Sequence, residues 1–405
     1  MTTTTGPTPD TLRGDMVDRL LRGRPTLDPR VADAMRALPR HMFVPDAPLD
    51  EAYAEQAVIT KRNDTGIALS CASGPGIVAG MLHQLRVRPG DNIMEIGAGT
   101  GYNAALLQRL TEPTGRVVTL DIDPEVTAGA RSALDATGNQ AVRVITRNGV
   151  LGAPEHAPYQ RIVVTVGTWD IPTPWWHQLA PEGRLVAPLR WRGQTRAVAF
   201  TLTEDNVLVS DSVELCGFVP MVGQEGEVTA PIDADGEVAL HWDDDQNIDP
   251  TALTGVLDQP RHTVWSDVFV TAGESFDGVW LRLAASEPGT CRIAADPTAV
   301  DSGRCTPAIP SRSAALVDDA STSLAYFTLR RQDPAEGPTH WELGAHAHGP
   351  QGHSLAQRMC DGIHAWNDNR NAEPRITVHP AGTHDATAPA GGLITKHLSQ
   401  LSVVY

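Results

Sequence analysis

Between Asn92 and Asn103 the chain reads as an apolar strand, a glycine-rich turn and the start of a helix. Ile93 and Met94 lead into Glu95 and Ile96, glycines follow at 97, 99 and 101, and a helical run continues through Leu110. Glycines in such a strand–turn–helix unit let the backbone approach a ligand with no Cβ in the way. The spacing is G-x-G-x-G, not the G-x-G-x-x-G of pyrophosphate-binding dinucleotide sites. Further on, Arg116 to Asp121 reads as a strand ending in an acid, placed to accept both ribose hydroxyls of a nucleoside. A glycine turn plus that acid, without the dinucleotide fingerprint, points to S-adenosyl-L-methionine. The broader alternative is any doubly wound domain with a tight turn.

The surrounding pattern supports a doubly wound sheet. Strands are expected at 92–96, 116–121, 142–146, 161–166 and 184–188, and helices at 102–110, 124–136 and 171–179. Strands alternating with helices imply a parallel sheet. Two further strands, 197–202 and 207–216, suggest a hairpin turning at Glu204–Asn206. The expected organisation is a disordered N-terminus over 1–11, a methyltransferase domain over 12–222, an acidic Gly/Pro-bearing linker over 223–236 and a C-terminal α+β domain over 237–405.

Composition narrows the partners. The net charge is −17, which argues against nucleic acid or an anionic membrane as partner, since both need basic patches. No apolar run is long enough to span a bilayer. The five cysteines are scattered without a C-x-x-C pair, as expected of free thiols in a cytoplasmic protein, although Cys291 and Cys305 are a conceivable pair. We expect a monomer.

Residues 12–221 resemble protein L-isoaspartate O-methyltransferases. The likeness rests on Val31 to Pro45, on Ala52-Tyr53, on Glu95 to Asn103, on Pro158-Tyr159, on Gln178 to Pro188 and on Gly217 to Met221. It implies a Rossmann-like class I methyltransferase fold, S-adenosyl-L-methionine as cofactor, and a peptide or protein bearing Asp or isoAsp as substrate. Glu95, Gly97, Ala98, Gly99, Thr100, Gly101 and Asn103 then hold the cofactor, and Asp121 takes the ribose hydroxyls. Asn148 stands where the family often has an aspartate near adenine; it and Gly149 are either cofactor contacts or an ordinary Asn-Gly turn. Ser73 is the expected catalytic hydroxyl, with Ser70 as rival and Ser70, Cys71, Ala72 and Val219 along the substrate. Ser73 also suits a helix N-cap before Gly74-Pro75. The family usually reads Thr-Ile-Ser-Gln-Pro here, whereas this chain has Cys71 to Pro75 as Cys-Ala-Ser-Gly-Pro.

Other candidates carry weaker signals. His41 is expected to pack the entry segment, with lining of the peptide groove as the alternative. Trp169, Trp175 and Trp176 are expected either to wall a peptide channel or to pack the core. His346, His348 and His353 near Glu342 suggest a solvated loop between Gly344 and Gly352, since their spacing matches no metal motif; Asp243 to Asp245 reads as a turn. No metal is expected. The C-terminal extension resembles the layout of actinobacterial methyltransferases that accompany ribosomally made peptides, which implies a peptide-recognition domain and an aspartimide product; the alternatives are a merely structural extension on a general isoaspartyl-repair methyltransferase, or a non-catalytic peptide-binding protein on the same fold. In that likeness Ala365 to Arg370 and Leu398 to Tyr405 are either a docking element or a final strand.

Overall fold

The computed structural model describes residues 6–333, 337–383 and 392–405. They fall into two units. One runs to Leu189 and resumes over Thr195–Gly223; the other comprises Arg190–Gln194 and the chain from Gln224 onward.

The first unit contains α1 (Pro9–Gly23), α2 (Pro29–Ala37), α3 (Leu49–Ala52), β1 (Val58–Arg62), β2 (Ala68–Ala72), α4 (Pro75–Leu85), β3 (Asn92–Ile96), α5 (Tyr102–Thr111), β4 (Arg116–Asp121), α6 (Pro124–Ala136), β5 (Arg143–Thr146), β6 (Tyr159–Val164), α7 (Thr173–Gln178), β7 (Leu179–Trp191), β8 (Gln194–Leu202) and β9 (Leu208–Leu215). Its sheet runs β9-β8-β7-β6-β3-β4-β5. The pairs β3–β4, β3–β6, β4–β5 and β6–β7 are parallel, and β8–β9 is antiparallel. From β3 the chain winds one way to β4 and β5, then returns to place β6 on the other side of β3. That reversal opens a crevice at the carboxyl end of β3, where doubly wound sheets bind ligands. Because β3 is central, Ile93 through Ile96 are all buried, Glu95 included.

Local chemistry fixes the elements around this crevice. Asp123 caps α6 by accepting from the Glu125 and Val126 amides, with Pro124 as the first helical residue. β1 and β2 form a separate antiparallel hairpin. Lys61 on that hairpin reaches both Asp123 and Glu125, each at 2.6 Å. Helix α1 starts at Pro9 behind the Thr8 cap, so residues 9–11 are helical rather than part of a disordered N-terminus; residues 1–5 lie outside the described residues.

The second unit contains β10 (Glu227–Pro231), β11 (Val238–Asp243), α8 (Pro250–Leu253), β12 (His262–Thr271), α9 (Asp277–Ser286), β13 (Thr290–Ala295), α10 (Pro297–Asp301), β14 (Ser313–Val317), β15 (Leu324–Gln332), β16 (His340–His348), α11 (Gly352–Asn367), β17 (Arg375–Pro380), β18 (Leu393–Thr395) and β19 (Ser399–Val404). One sheet runs β10-β11-β13-β14-β15-β16-β12. One hydrophobic cluster joins its strands to α9 and α11, and a second packs Leu240, Ile293 and Tyr326 with Leu253, Leu257 and Ala299. Leu355, Met359, Ile363 and Trp366 make the apolar stripe of α11.

Some expectations fail here for identifiable reasons, and others hold. Residues 227–231, assigned to a linker, form an edge strand with only half-buried or exposed residues, so no apolar alternation marked them. The loop expected over 344–352 is largely strand β16: Trp341, Leu343, Ala345 and Ala347 meet one core while the histidines alternate to the other face. The Ala365–Arg370 signature is used inside the unit. Trp366 is buried, Arg370 stacks on it at 4.7 Å, and Arg370 also bonds Glu274 and the Phe269 carbonyl. The last residues form β19, antiparallel to both β17 and β18. Asp243 closes β11 and is buried, accepting from the Arg192 amide, while Asp244 and Asp245 form the expected turn, with Asp245 paired to the Arg192 guanidinium. All five cysteines are free thiols. Among the described residues no helix is long and apolar enough to cross a membrane.

Candidate active site

A cavity of about 210 Å³ opens at the carboxyl end of β3, and residues of the first unit build it. Its floor is the glycine turn. Gly97 has φ 104°, and a Cβ there falls 2.5 Å from the Thr165 hydroxyl, which in turn donates to the Gly97 carbonyl at 2.6 Å. Ala98, Gly99 and Thr100 also line the cavity. Gly101 does not. It caps α5 with φ 84°, and a Cβ on it meets Ala130 O at 3.1 Å and Leu134 Cγ at 3.2 Å. Its glycine serves close packing against α6 rather than ligand contact, which corrects the expectation for that residue.

Two carboxylates stand beside the turn. Asp121 ends β4 and accepts from the Gly99 and Asp123 amides, both at 3.2 Å; burial raises its pKa, against those amide bonds. Glu95 is fully buried, accepts from Asn103 Nδ2 at 2.7 Å and Thr119 Oγ1 at 2.6 Å, and is pushed up to about 7 by burial. Holding the Asn103 NH₂ leaves the Asn103 amide oxygen as acceptor for a cavity-bound donor. Asn148 lines the cavity beside Gly149, and its side-chain oxygen caps the short 3₁₀ turn at Val150 N, 3.0 Å away. It is a turn residue and a wall residue at once.

The opposite wall is the end of β2. Ser70, Cys71, Ala72 and Ser73 all line the cavity, as does Val219 on the segment that pairs with Gly167. Ser73 is not the helix cap. Gly74 takes that position without a side-chain bond, and a Cβ at 74 meets Glu55 O at 2.4 Å. The Ser73 hydroxyl instead bonds the Cys71 thiol, whose pKa burial raises. Ser70 bonds Thr60 at 3.3 Å.

His41 bonds the Tyr53 hydroxyl at 2.8 Å outside the cavity lining. Trp169, Trp175 and Trp176 are buried and absent from the lining, and Trp175 donates to Gly149 O at 2.9 Å, so they pack and brace rather than wall a channel. The histidines near Glu342 do not converge; among the described residues the one carboxylate or histidine group tight enough for a cation is Asp233, Asp235 and Glu237. Arg304 already bridges Asp233 and Asp235.

Among the lining residues that carried no expectation of their own are Arg40 and Tyr102. Arg40 is wholly buried, donating to Ala52 O at 2.8 Å, Ala72 O at 3.2 Å and Ser73 O at 2.8 Å. Arg40 stands in Pro39-Arg40-His41, inside the Val31–Pro45 segment that carried the family likeness without a role for this residue.

A turn that brings bare backbone to the cavity, an acid at the next strand end and an amide acceptor beyond it suit a nucleoside bearing an amino-acid tail, as in S-adenosyl-L-methionine. Comparisons with known proteins agree. The model of the protein-L-isoaspartate(D-aspartate) O-methyltransferase family matches residues 12–226. The chain is 39% identical over 198 residues to the protein-L-isoaspartate O-methyltransferase of Methanopyrus kandleri, covering 49% of this chain and 85% of that one. It is 39% identical over 214 residues to that of Methanoregula boonei, covering 53% and 94%. A solved structure named protein-L-isoaspartate O-methyltransferase shares the fold over 96% of this chain and 99% of its own, with TM-score 0.50 and 18% identity. With the glycine turn, the acid and the family match falling on one unit, the chain belongs to the protein-L-isoaspartate(D-aspartate) O-methyltransferase family.

Proposed function

We propose that the protein methylates the carboxylate of an aspartyl or isoaspartyl residue in a peptide, and that the ester closes to a succinimide. The observation that carries this is one cavity with two walls: the Gly97–Gly99 and Asp121 side facing the Ser70–Ser73 and Val219 side. The lining contains no histidine or lysine to act as base. A carboxylate acceptor requires none, being ionised at pH 7. Bound S-adenosyl-L-methionine supplies a methyl group on a sulfonium; the carboxylate oxygen bonds the methyl carbon as the carbon–sulfur pair withdraws to sulfur. The protein's part is to align acceptor and donor. The Ser73 hydroxyl, free of capping duty, orients the acceptor oxygen. In the ester, the following backbone nitrogen attacks the carbonyl, and its proton leaves with methoxide as methanol.

The acceptor we favour is an aspartate in a constrained, ribosomally made peptide, recognised with the help of residues 237–405. Support comes from the acceptor wall. Ala72, packed in the core beside the cavity, stands where the family pattern carries the larger isoleucine. General repair of isoaspartyl proteins is the second reading. It draws support from the solved structure named protein-L-isoaspartate O-methyltransferase, whose fold matches nearly the whole length of this chain. Labelled S-adenosyl-L-methionine with a linear isoaspartyl peptide and with a cyclised aspartyl peptide separates the two. The dedicated reading expects methylation of the cyclised peptide followed by a product 18 Da lighter than the substrate. Turnover of the linear isoaspartyl peptide alone leaves only repair.

A further inference from the structure

A buried guanidinium normally has a carboxylate beside it, because removing the charge from water costs several kcal/mol. Arg40 has none: among the described residues no carboxylate lies within ion-pair distance of it. The ionisable groups that face it are Tyr102 from α5, Cys71 from β2 and Tyr53 after α3. Its Nε and Nη2 hold the Ala52, Ala72 and Ser73 carbonyls, and its guanidinium lies 5.0 Å from the Tyr102 ring centroid. Guanidinium carries five N–H donors. Nη1 is buried and has no partner among the described residues, and neither has the buried Tyr102 hydroxyl. Both residues belong to the cavity lining, and Arg40 holds from behind the carbonyls of the loop that carries Ser73. A tie for three carbonyls explains Nε and Nη2. It leaves Nη1 and the net charge without a purpose.

We propose that Arg40 is the counter-charge of the acceptor carboxylate, a positioning residue that selects an anionic acceptor and orients it through the Ala72–Ser73 loop, with the Tyr102 hydroxyl as its companion donor. This rests on the acceptor reading above. The three carboxylates of the cavity, Glu95, Asp121 and Asp123, are on or next to the glycine-turn side, whereas Arg40 is tied to the β2 side. The cavity is thus polarised: acids where a sulfonium and ammonium bind, a cation where a carboxylate arrives. The same guanidinium discriminates against the protonated acid and against the uncharged side-chain amide.

The test reads the acceptor itself. A peptide with a ¹³C-labelled acceptor carboxylate is titrated by NMR, free and bound to the protein saturated with S-adenosylhomocysteine. A cation within about 4–6 Å lowers a carboxylate pKa by about one to three units. The bound carboxylate is expected at least one unit below the free one. Arg40→Lys keeps that shift even where turnover falls; Arg40→Gln loses it, and the acid limb of the kcat profile moves up by the same amount. Tyr102→Phe raises KM for the peptide severalfold and leaves S-adenosylhomocysteine affinity within twofold. A bound carboxylate with an unshifted or raised pKa in the unmodified protein overturns the assignment, and needs no variant to fold. Equal loss of the shift in Arg40→Lys and Arg40→Gln overturns it too. If neither peptide is methylated at all, the acceptor reading itself fails, and that outcome is separate from methylation with an unshifted carboxylate.

Discussion

Glu95 offers the sharpest quantitative test of the cofactor side. Its carboxyl is fully buried, held by Asn103 and Thr119, and stands at about 7 rather than the ordinary 4.5 because of burial. The folded-state value lies above the unfolded one. The burial penalty is therefore absent below about pH 4.5 and fully present above about pH 7, where it reaches about 3 kcal/mol at roughly 1.4 kcal/mol per unit. A cationic ligand reverses the balance by favouring the ionised form. If S-adenosylhomocysteine, with its ammonium, binds only when Glu95 is ionised, the apparent Kd carries the factor 1 + 10^(pKa − pH). For a pKa of about 7 that factor is about 11 at pH 6 and about 1.1 at pH 8, a tenfold difference or about 1.4 kcal/mol. Calorimetric titration at the two pH values, in buffers of different ionisation enthalpy, measures both the affinity and the proton released. The unmodified protein is expected to bind about tenfold tighter at pH 8 and to release close to one proton at pH 6. Glu95→Gln removes the slope, because a neutral amide has no proton to lose. An affinity that is flat from pH 6 to pH 8 in the unmodified protein refutes the reasoning, as does a slope that survives in Glu95→Gln.

Other substitutions address separate parts of the molecule. Ser73→Ala is expected to lower kcat by about 10–100-fold through loss of acceptor orientation, with S-adenosylhomocysteine affinity within twofold; unchanged turnover transfers the role to Ser70. Asp121→Ala removes the proposed acceptor of two ribose hydroxyls, and charge-assisted bonds of about 1.5–3 kcal/mol each predict at least a hundredfold loss of cofactor affinity. Equal affinity, measured by calorimetry, rules out the ribose contact. Trp366→Ala empties a buried site in the second unit and is expected to cost about 3–5 kcal/mol in urea unfolding; a loss under about 1 kcal/mol contradicts its place in that core.

Legibility in the sequence followed burial. β3 and β4 appear with the expected bounds, as does α6, because their apolar patterns and the Asp123-Pro124 start are local signals. The hairpin β8–β9 turns where expected, with Asn206 at φ 61°. The edge strand β10 was invisible because an edge with exposed Thr229 lacks the alternation that marks a strand. In β16 the alternation was present, yet Gly344 and the histidines drew it toward a loop. Gly344 is there for Trp265, whose ring carbon lies 2.4 Å from where a Cβ would stand. A residue chosen by a neighbouring strand leaves no trace in its own segment. Ser73 was misread as a cap for a related reason: the Glu55 carbonyl that forces glycine at 74 comes from outside the segment.

The same distinction bears on where substrate choice resides. Ala365 to Arg370 looked like a docking signature, but Trp366 and Arg370 are occupied within the second unit, and Arg370, His364 and Cys360 hold the Phe269, Ser266 and Val264 carbonyls of the edge strand β12. An edge whose carbonyls are already taken is a poor site for adding a peptide strand. The acceptor wall is different. Leu69 is 46% exposed and Val222 62% exposed at the cavity, large apolar side chains that face solvent there. Ala72 places a small side chain in this wall, and Arg40 holds the Ala72 and Ser73 carbonyls from behind. Under the proposed function, selection between a damaged protein and a constrained peptide would rest on this wall. Restoring bulk with Ala72→Ile is expected to lower kcat/KM for the cyclised peptide by about tenfold or more while sparing S-adenosylhomocysteine binding, since overpacking a fitted wall costs about 1–3 kcal/mol. If Ala72→Ile leaves the ratio of cyclised to linear turnover unchanged, the width of this wall does not set the choice.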